Sequence, residues 1–131
     1  MEEIFNIEII SPEKIIFSGT AKIATLPSYE GDMSILKNHV STITFLRPGI
    51  VKVEKKDKSI EDFFAEEGTV EFYDNTLILL SASIINLKDL SKEFIDKLND
   101  ETQKKLNSDK IKDDERYMLN HKLEVLKEIR I

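Results

Sequence analysis

The side chains best suited to acid–base or metal chemistry are two histidines, His39 and His121, in a chain that carries 25 carboxylate residues. A histidine acting as a general base needs a carboxylate to orient it and a nucleophile within hydrogen-bond reach. Asp32 and Ser41 are near His39 in sequence, but no catalytic spacing joins them. The histidines are also too far apart in sequence to indicate a metal site. We therefore interpret His39 as a loop histidine and His121 as a solvated helix residue.

Other catalytic patterns are absent from the sequence. The chain has no cysteine, which excludes disulfides, thiolate zinc sites and a cysteine nucleophile. Its four glycines form neither of the common phosphate-binding patterns. Glu66 and Glu67 are adjacent, so on a strand they would point to opposite faces rather than pair. The residues favour an interaction module over an enzyme, and no cofactor or metal is expected.

Residues 26–42 form the stretch that we expect to contact a partner. Pro27 lacks a backbone donor and Gly31 permits a positive φ, so the chain should leave a sheet here, turn and re-enter it. Working residues often stand on such turns, because the scaffold beneath holds them in place. The residues expected to face a partner are Tyr29, Glu30, Gly31 and Asp32, with His39 further along.

Apolar residues up to about residue 85 alternate with polar ones, as in half-buried strands. Ser18 and Gly19 are expected to form a turn, and the following strand should end before Pro27. Regular turn signals separate seven to ten short strands, which indicates a β-sandwich or flattened barrel.

The spacing of apolar residues changes to three and four near residue 87, which predicts two amphipathic helices of roughly 18–20 residues. Asn86 or Asp89 would cap the first helix and Ser108 the second. The predicted fold class is α+β, with an N-terminal β-sandwich or flattened barrel at 1–86 and a C-terminal antiparallel αα-hairpin at 87–131.

The net charge of −6 limits the kinds of partner. Nucleic-acid binding needs a surplus of cations, which neither predicted domain carries. No apolar run approaches the ~20 residues of a transmembrane helix, and the acidic N-terminus does not match a secretory or transit signal. We expect any membrane association to come through another protein.

Several motifs in order resemble the epsilon subunit of F-type ATP synthases, over nearly the whole chain. Residues 26–39 resemble the family's Pro-Gly-x-Glu-Gly-Glu-Phe-Gly-Ile-Leu-Pro-Gly-His loop. Leu46-Arg47-Pro48-Gly49 resembles its Leu-Lys-Pro-Gly turn. Residues 10–19 resemble its first hairpin, residues 64–79 its last strands, and the terminal helices complete the order.

The sequence departs from the family at two informative places. Asn38 replaces a usual glycine, although asparagine tolerates a left-handed backbone. Some members bind ATP on the helices through an Ile/Leu-Asp-x-x-Arg-Ala motif, where this chain has Ser91 for the acid and Phe94 for the arginine. Without the guanidinium the phosphate fork is missing, so we expect no ATP binding.

The resemblance implies a non-catalytic central-stalk subunit that joins gamma to the c-ring of a proton-translocating synthase. In the family, the turn matching Tyr29–Asp32 lies against the c-ring and the region of His39 lies toward gamma. The helices can oppose ATP hydrolysis by contacting the catalytic alpha and beta subunits. The candidate inhibitory contacts are Arg116, Lys122, Lys127 and Arg130. The implied location is peripheral, on the cytoplasmic face of the inner (cell) membrane.

Two other functions are compatible with the residues alone. A free-standing β-sandwich adaptor with a helical docking hairpin would fold alike but would not co-purify with a membrane ATPase. A small hydrolase using His39 would lose its activity in a His39→Ala variant.

Overall fold

A computed structural model gives the fold and describes residues 3–129. In this part of the chain, ten strands precede two helices. The strands are β1 (Phe5–Ile10), β2 (Ile15–Ala21), β3 (Ile23–Ser28), β4 (Gly31–Ile35), β5 (Thr42–Leu46), β6 (Gly49–Glu54), β7 (Ile60–Ala65), β8 (Gly68–Tyr73), β9 (Thr76–Leu80) and β10 (Ile84–Asn86). The helices are α1 (Lys92–Leu106) and α2 (Asp113–Glu128). The predicted fold class is confirmed.

The strands form one continuous sheet that folds over on itself as two layers. Its order is β10-β7-β6-β3-β5-β8-β9-β1-β2, with β4 paired to β3. The layers meet where β3 touches β5 through a single pair, Ser28 opposite Leu46. All neighbouring strands are antiparallel except β1 and β9, which run parallel. Because nearly every strand reverses the one before it, the loops gather at two opposite ends of the sandwich.

We name these ends after the residue that each presents. The register of the strands assigns every connecting loop to one of them. The Tyr29 end comprises residues 11–14, 29–30, 47–48, 66–67 and 81–83. The His39 end comprises residues 22, 36–41, 55–59 and 74–75.

The core lies between the two layers and is closed to solvent. Alternate residues of each strand point into it, and most are 2% exposed or less. Phe5 and Phe72 meet edge to face, with their ring centroids 5.6 Å apart. On β7, Phe63 belongs to this core, whereas Phe64 is buried to the same extent on the opposite face of the strand.

Two predicted strand boundaries are wrong. Ser18 and Gly19 lie inside β2, opposite Glu8 and Ile7, rather than in a turn. The chain bends instead at Lys22, whose N–H donates to the Glu54 carbonyl at 2.8 Å. Strand β3 also continues through Pro27, because the missing donor is not needed there and the Pro27 carbonyl still accepts from the Arg47 N–H at 3.0 Å.

The predicted helix caps are wrong, and the helices are shorter than expected. Residues Leu87–Asp89 form a 3₁₀ turn, and α1 starts after Ser91, whose Oγ accepts from the Phe94 N–H at 3.1 Å. Helix α2 follows Lys112, which provides no side-chain cap. The helices have 15 and 16 residues, because residues 107–112 remain non-helical between them.

The contacts within the chain divide it into two compact units, Met1–Leu87 and Lys88–Ile131. The first is the sandwich. In the second, α1 and α2 contact each other, and each buries one face: Ile95, Leu98 and Thr102 on α1, and Met118, Lys122, Leu123, Val125 and Leu126 on α2.

Candidate partner-binding site

The predicted contact turn is the tight hairpin between β3 and β4. Only Tyr29 and Glu30 separate the two strands, and Gly31 adopts a φ of 122° that favours glycine. The Ser28 hydroxyl donates to the Gly31 carbonyl at 2.6 Å and closes the turn. Tyr29, Glu30 and Asp32 are exposed, so the hairpin presents a phenol and two carboxylates on a fixed backbone.

The start of β6 packs closely against the β3 strand that leads into this hairpin. A Cβ at Gly49 would lie 2.6 Å from the Pro27 Cβ, so only glycine fits at the start of β6. The Tyr29 N–H donates to the Phe45 carbonyl at 3.3 Å and connects the turn to β5. The hairpin is therefore held by both layers of the sandwich.

His39 lies in the loop before β5 and its ring is held by local groups. Its Nδ1 is 2.8 Å from the Val40 carbonyl, which can only accept, so this nitrogen carries the proton. The ring packs edge to face against Phe72 at 5.9 Å between centroids. The preceding Asn38 has a φ of 68°, and it exchanges two hydrogen bonds with Asn75, at 2.6 and 3.1 Å. Asn38 thus takes the left-handed backbone expected of it.

The structure separates the predicted contact residues onto two ends. The hairpin is at the Tyr29 end, and His39 is at the opposite end of the strands. Strand β4 spans the gap with five residues, or ~13 Å between its first and last Cα atoms. Asp32 therefore cannot orient the imidazole as a catalytic carboxylate. The separation is suited to a chain that touches two different partners.

An exposed apolar face on β5, β8 and β9 was not predicted from the sequence. Ile43 is 74% exposed, Phe45 59% and Tyr73 66%, and all three point away from the core. Leu80 continues this face opposite Thr69, and Ile43 lies opposite Glu71. We call these four apolar residues, Ile43, Phe45, Tyr73 and Leu80, the outer apolar face. Thr69 and Glu71 separate these side chains across β8, so the face mixes exposed apolar and polar groups, as protein interfaces often do.

The predicted inhibitory cations are placed differently from one another. Arg116 and Lys127 are exposed on α2, but Lys122 is only 8% exposed. Arg130 lies outside the described residues. Tyr117 and His121 stack on the same helix, 6.3 Å between centroids, so His121 packs on a neighbouring ring.

The remaining charged loop, residues 55–58, has its own local partners. Lys55 Nζ is 3.2 Å from a Glu61 carboxylate oxygen and 5.4 Å from the centre of the Phe17 ring. Asp57 accepts from the Ser59 hydroxyl at 2.5 Å and from its N–H at 2.9 Å, which lowers the pKa of the Asp57 carboxyl. These contacts order the loop without help from a ligand.

Within residues 3–129, no group of three or more histidine and carboxylate side chains is arranged to hold a metal ion. No helix in the same range combines the length and apolar character needed to cross a bilayer.

Comparison with known proteins identifies this architecture. The family described as "ATP synthase, Delta/Epsilon chain, beta-sandwich domain" matches residues 4–87, so the first unit is a sandwich of that class. An ATP synthase epsilon chain of Pelagibacter ubique is 39% identical over 128 residues, which cover 97% of this chain and 98% of the relative. An epsilon chain of Parvibaculum lavamentivorans is 33% identical over 99% of this chain and 98% of its own length. The chain belongs to the epsilon chain family of F-type ATP synthases.

Solved structures contain the same fold at low sequence identity. A chain of the Euglena gracilis mitochondrial ATP synthase superimposes with a TM-score of 0.75 at 19% identity, covering 97% of this chain and 79% of that chain. A chain from the Tetrahymena thermophila mitochondrial ATP synthase gives 0.61 at 15% identity, covering 93% and 92%.

Family membership confirms the resemblance seen in the sequence. It makes the chain an accessory, non-catalytic subunit of a membrane-associated ATP synthase complex. It also favours this function over a free-standing adaptor or a hydrolase using His39.

Proposed function

We propose that this chain is a central-stalk rotor subunit that couples gamma to the c-ring of a proton-translocating ATP synthase. The observation that carries the proposal is the similarity to epsilon chains over 97% of this chain and 98% of a relative. The similar solved chains also come from structures described as containing a c-ring, and one of these as a central stalk. The coupling would occur on the cytoplasmic face of the cell membrane.

The hairpin at the Tyr29 end is the proposed contact with the c-ring. Glu30 and Asp32 are exposed there on a turn whose backbone is closed by Ser28. Two carboxylates on a rigid turn are suited to pairing with basic side chains on polar loops. Each exposed ion pair contributes only about 0.2–1 kcal/mol, so their main effect is on orientation.

The His39 end and the adjoining part of the outer apolar face, Ile43 and Tyr73, form the proposed contact with gamma. Ile43 and Tyr73 extend the apolar surface toward the loop that carries His39, through the pairing of Thr42 with Phe72. Burying such side chains stabilises an interface by about 25 cal/mol per Å² of apolar area. Opposite ends of one stiff sandwich would then engage two rotor components.

The helical unit is the proposed brake on ATP hydrolysis. Arg116 and Lys127 are exposed and available to acidic groups on alpha and beta. Lys122 would contribute only after a rearrangement that uncovers it. Arg130 remains a candidate from the sequence.

The test is rebinding to a synthase from which this subunit has been removed. Charge reversal in a Glu30→Lys/Asp32→Lys variant should weaken binding about ten-fold or more, because attraction is replaced by repulsion. A matched control, Asp96→Lys/Asp100→Lys, makes the same charge change at exposed positions of α1 and should bind like the wild type. Equal binding by all three proteins would contradict the proposed c-ring contact.

A further inference from the structure

The Tyr29 end contains a notch beside the hairpin, and the proposed hairpin contact gives this notch no role. A concave site of about 270 Å³ lies between the hairpin and the ends of β5 and β8. Its described lining residues are Tyr29, Phe45, Leu46, Glu67, Gly68, Thr69 and Ala82. Two rings border it, and both are about half exposed: Tyr29 at 49% and Phe45 at 59%.

The backbone joins the turn that carries Tyr29 to the strand that carries Phe45. The Tyr29 N–H donates to the Phe45 carbonyl at 3.3 Å, and β5 pairs with β8 directly beside the notch, Phe45 opposite Thr69. The backbone framework of the notch is therefore in place before any partner arrives. A preformed site loses less entropy on binding than one that must be ordered.

The charges around the notch favour a cation. Among its described lining residues, Glu67 carries the only charge, and it is exposed. The loops and adjoining residue of this end carry five carboxylates, on Glu13, Glu30, Asp32, Glu66 and Glu67, against two cations, on Lys14 and Arg47, a net of −3 at neutral pH. Aromatic faces attract a cation within about 6 Å, and a guanidinium or ammonium stem packs well against rings.

We propose that this notch receives an arginine or lysine side chain from the partner that the hairpin meets. The stem would lie between the rings of Tyr29 and Phe45, and the charged group would reach the carboxylate of Glu67. The inference rests on the proposed function, because it assigns the notch to the c-ring-facing surface. It adds an anchor that is separate from the carboxylates of Glu30 and Asp32.

The test uses the full chain and the subunit-depleted synthase. Tyr29→Leu removes a ring and should weaken rebinding about five-fold or more. Tyr29→Phe keeps the ring and should bind like the wild type. Tyr73→Leu removes a tyrosine at the His39 end of the sandwich. Its effect on rebinding should be the same with and without Glu67→Gln. Thermal unfolding of each variant checks that the fold is intact.

Glu67→Gln separates a cationic occupant from an aliphatic one. It should weaken rebinding about two- to five-fold and reduce the dependence of binding on salt. In the Tyr29→Leu/Glu67→Gln double variant, the loss of affinity should be smaller than the product of the two single losses, because both residues would bind the same cation.

Three outcomes would overturn the proposal that the notch binds a cationic side chain. The first is unchanged binding by Tyr29→Leu, and the second is an equal loss of affinity in Tyr29→Phe and Tyr29→Leu. The third is a Glu67→Gln variant that binds like the wild type at every salt concentration. If the notch variants bind normally while Glu30→Lys/Asp32→Lys does not, the anchor is wrong and the c-ring contact stands. If none of these variants differs from the wild type, the proposed function fails as well.

Discussion

The sandwich and the helical unit bury their side chains to different degrees. Core residues of the sandwich such as Leu26, Phe72 and Leu77 are 1% exposed or less. Apart from Leu126, the buried apolar residues of the described helices are 7–9% exposed, and they share their faces with Thr102 and Lys122. Helix α2 also lacks a side-chain cap. A tightly closed core transmits force without deforming, whereas a shallow one opens locally at lower cost.

This difference matches two duties within one rotor subunit. The closed core of the sandwich is suited to a rigid coupler, with the proposed contacts at the two ends of its strands. The shallower core of the helical unit is suited to a change of arrangement. The following experiments test whether stability and function divide along the same boundary.

Removing the helical unit should produce the largest change. A chain ending at Leu87 keeps β10, which pairs with β7 through Ile84, Ile85 and Asn86. We expect the truncated sandwich to melt cooperatively and to rebind the depleted synthase. ATP hydrolysis by that complex should rise about five-fold over the complex with the full chain, within the usual range of allosteric coupling.

The control for truncation is the full chain with Lys104→Ala, an exposed change in the same unit that touches none of the proposed inhibitory cations. A truncated complex that hydrolyses ATP no faster than the full one would mean that the helices are not a brake.

Phe72→Ala should destabilise the sandwich more than any other single substitution proposed for it. Its ring is 1% exposed and packs against Phe5 and His39, so truncation leaves a large cavity. We expect a loss of about 3–5 kcal/mol in the free energy of unfolding, measured by urea denaturation. The adjacent Tyr73→Ala, at an exposed position, should cost less than about 0.5 kcal/mol. Similar losses of stability in both variants would show that packing in the core between the two layers is not the main source of stability.

Leu126→Ala should weaken the helices and leave the strands intact. Leu126 is 2% exposed, the most buried apolar residue of the described helices. We expect a loss of about 2–3 kcal/mol, confined to this unit. Hydrogen exchange should speed up in α1 and α2 and stay unchanged in β1–β9. Equal acceleration in the strands would mean that the two units unfold together.

Ser91→Ala should have the smallest effect, about 1 kcal/mol on the helical unit, because it removes the hydrogen bond to the Phe94 N–H. Ser108→Ala is the matched control, since the Ser108 hydroxyl accepts from the Lys110 N–H at 3.3 Å and α2 begins after Lys112 instead. Faster exchange in the first turn of α1 would identify the Ser91 effect. Identical behaviour of the two variants would contradict the assigned cap.

The sequence predicted the architecture because periodicity reports which face of each element is buried. It misplaced Pro27 and Gly19, since each was judged by its local preference. Pro27 sits where its carbonyl accepts and its nitrogen needs no partner, and a Cβ at Gly19 would meet Phe17 at an unstrained 3.6 Å. Pro27 stays in β3 beside Arg47, and Gly19 stays in β2 through its pairing with Ile7 of β1, and neither partner is a sequence neighbour.

The outer apolar face was missed for a related reason. In Thr42-Ile43-Thr44-Phe45, a hydrophobic pattern alone would turn Ile43 and Phe45 inward, yet the threonines face the core side. The side that β5 buries is set by its pairing with β3 and β8, ending in the buried Leu46. The contact turn was found because glycine and proline mark turns locally. The notch was not, because its rings come from a turn and a strand that are separated in the sequence.

The most direct test of the central claim is ATP-driven proton pumping in membrane vesicles whose synthase has been depleted of this subunit. We expect the depleted enzyme to hydrolyse ATP with little pumping, and we expect the full chain, but not Glu30→Lys/Asp32→Lys, to restore pumping. If removal of the chain leaves pumping unchanged, or if that variant restores it equally well, this chain does not couple the rotor through the hairpin.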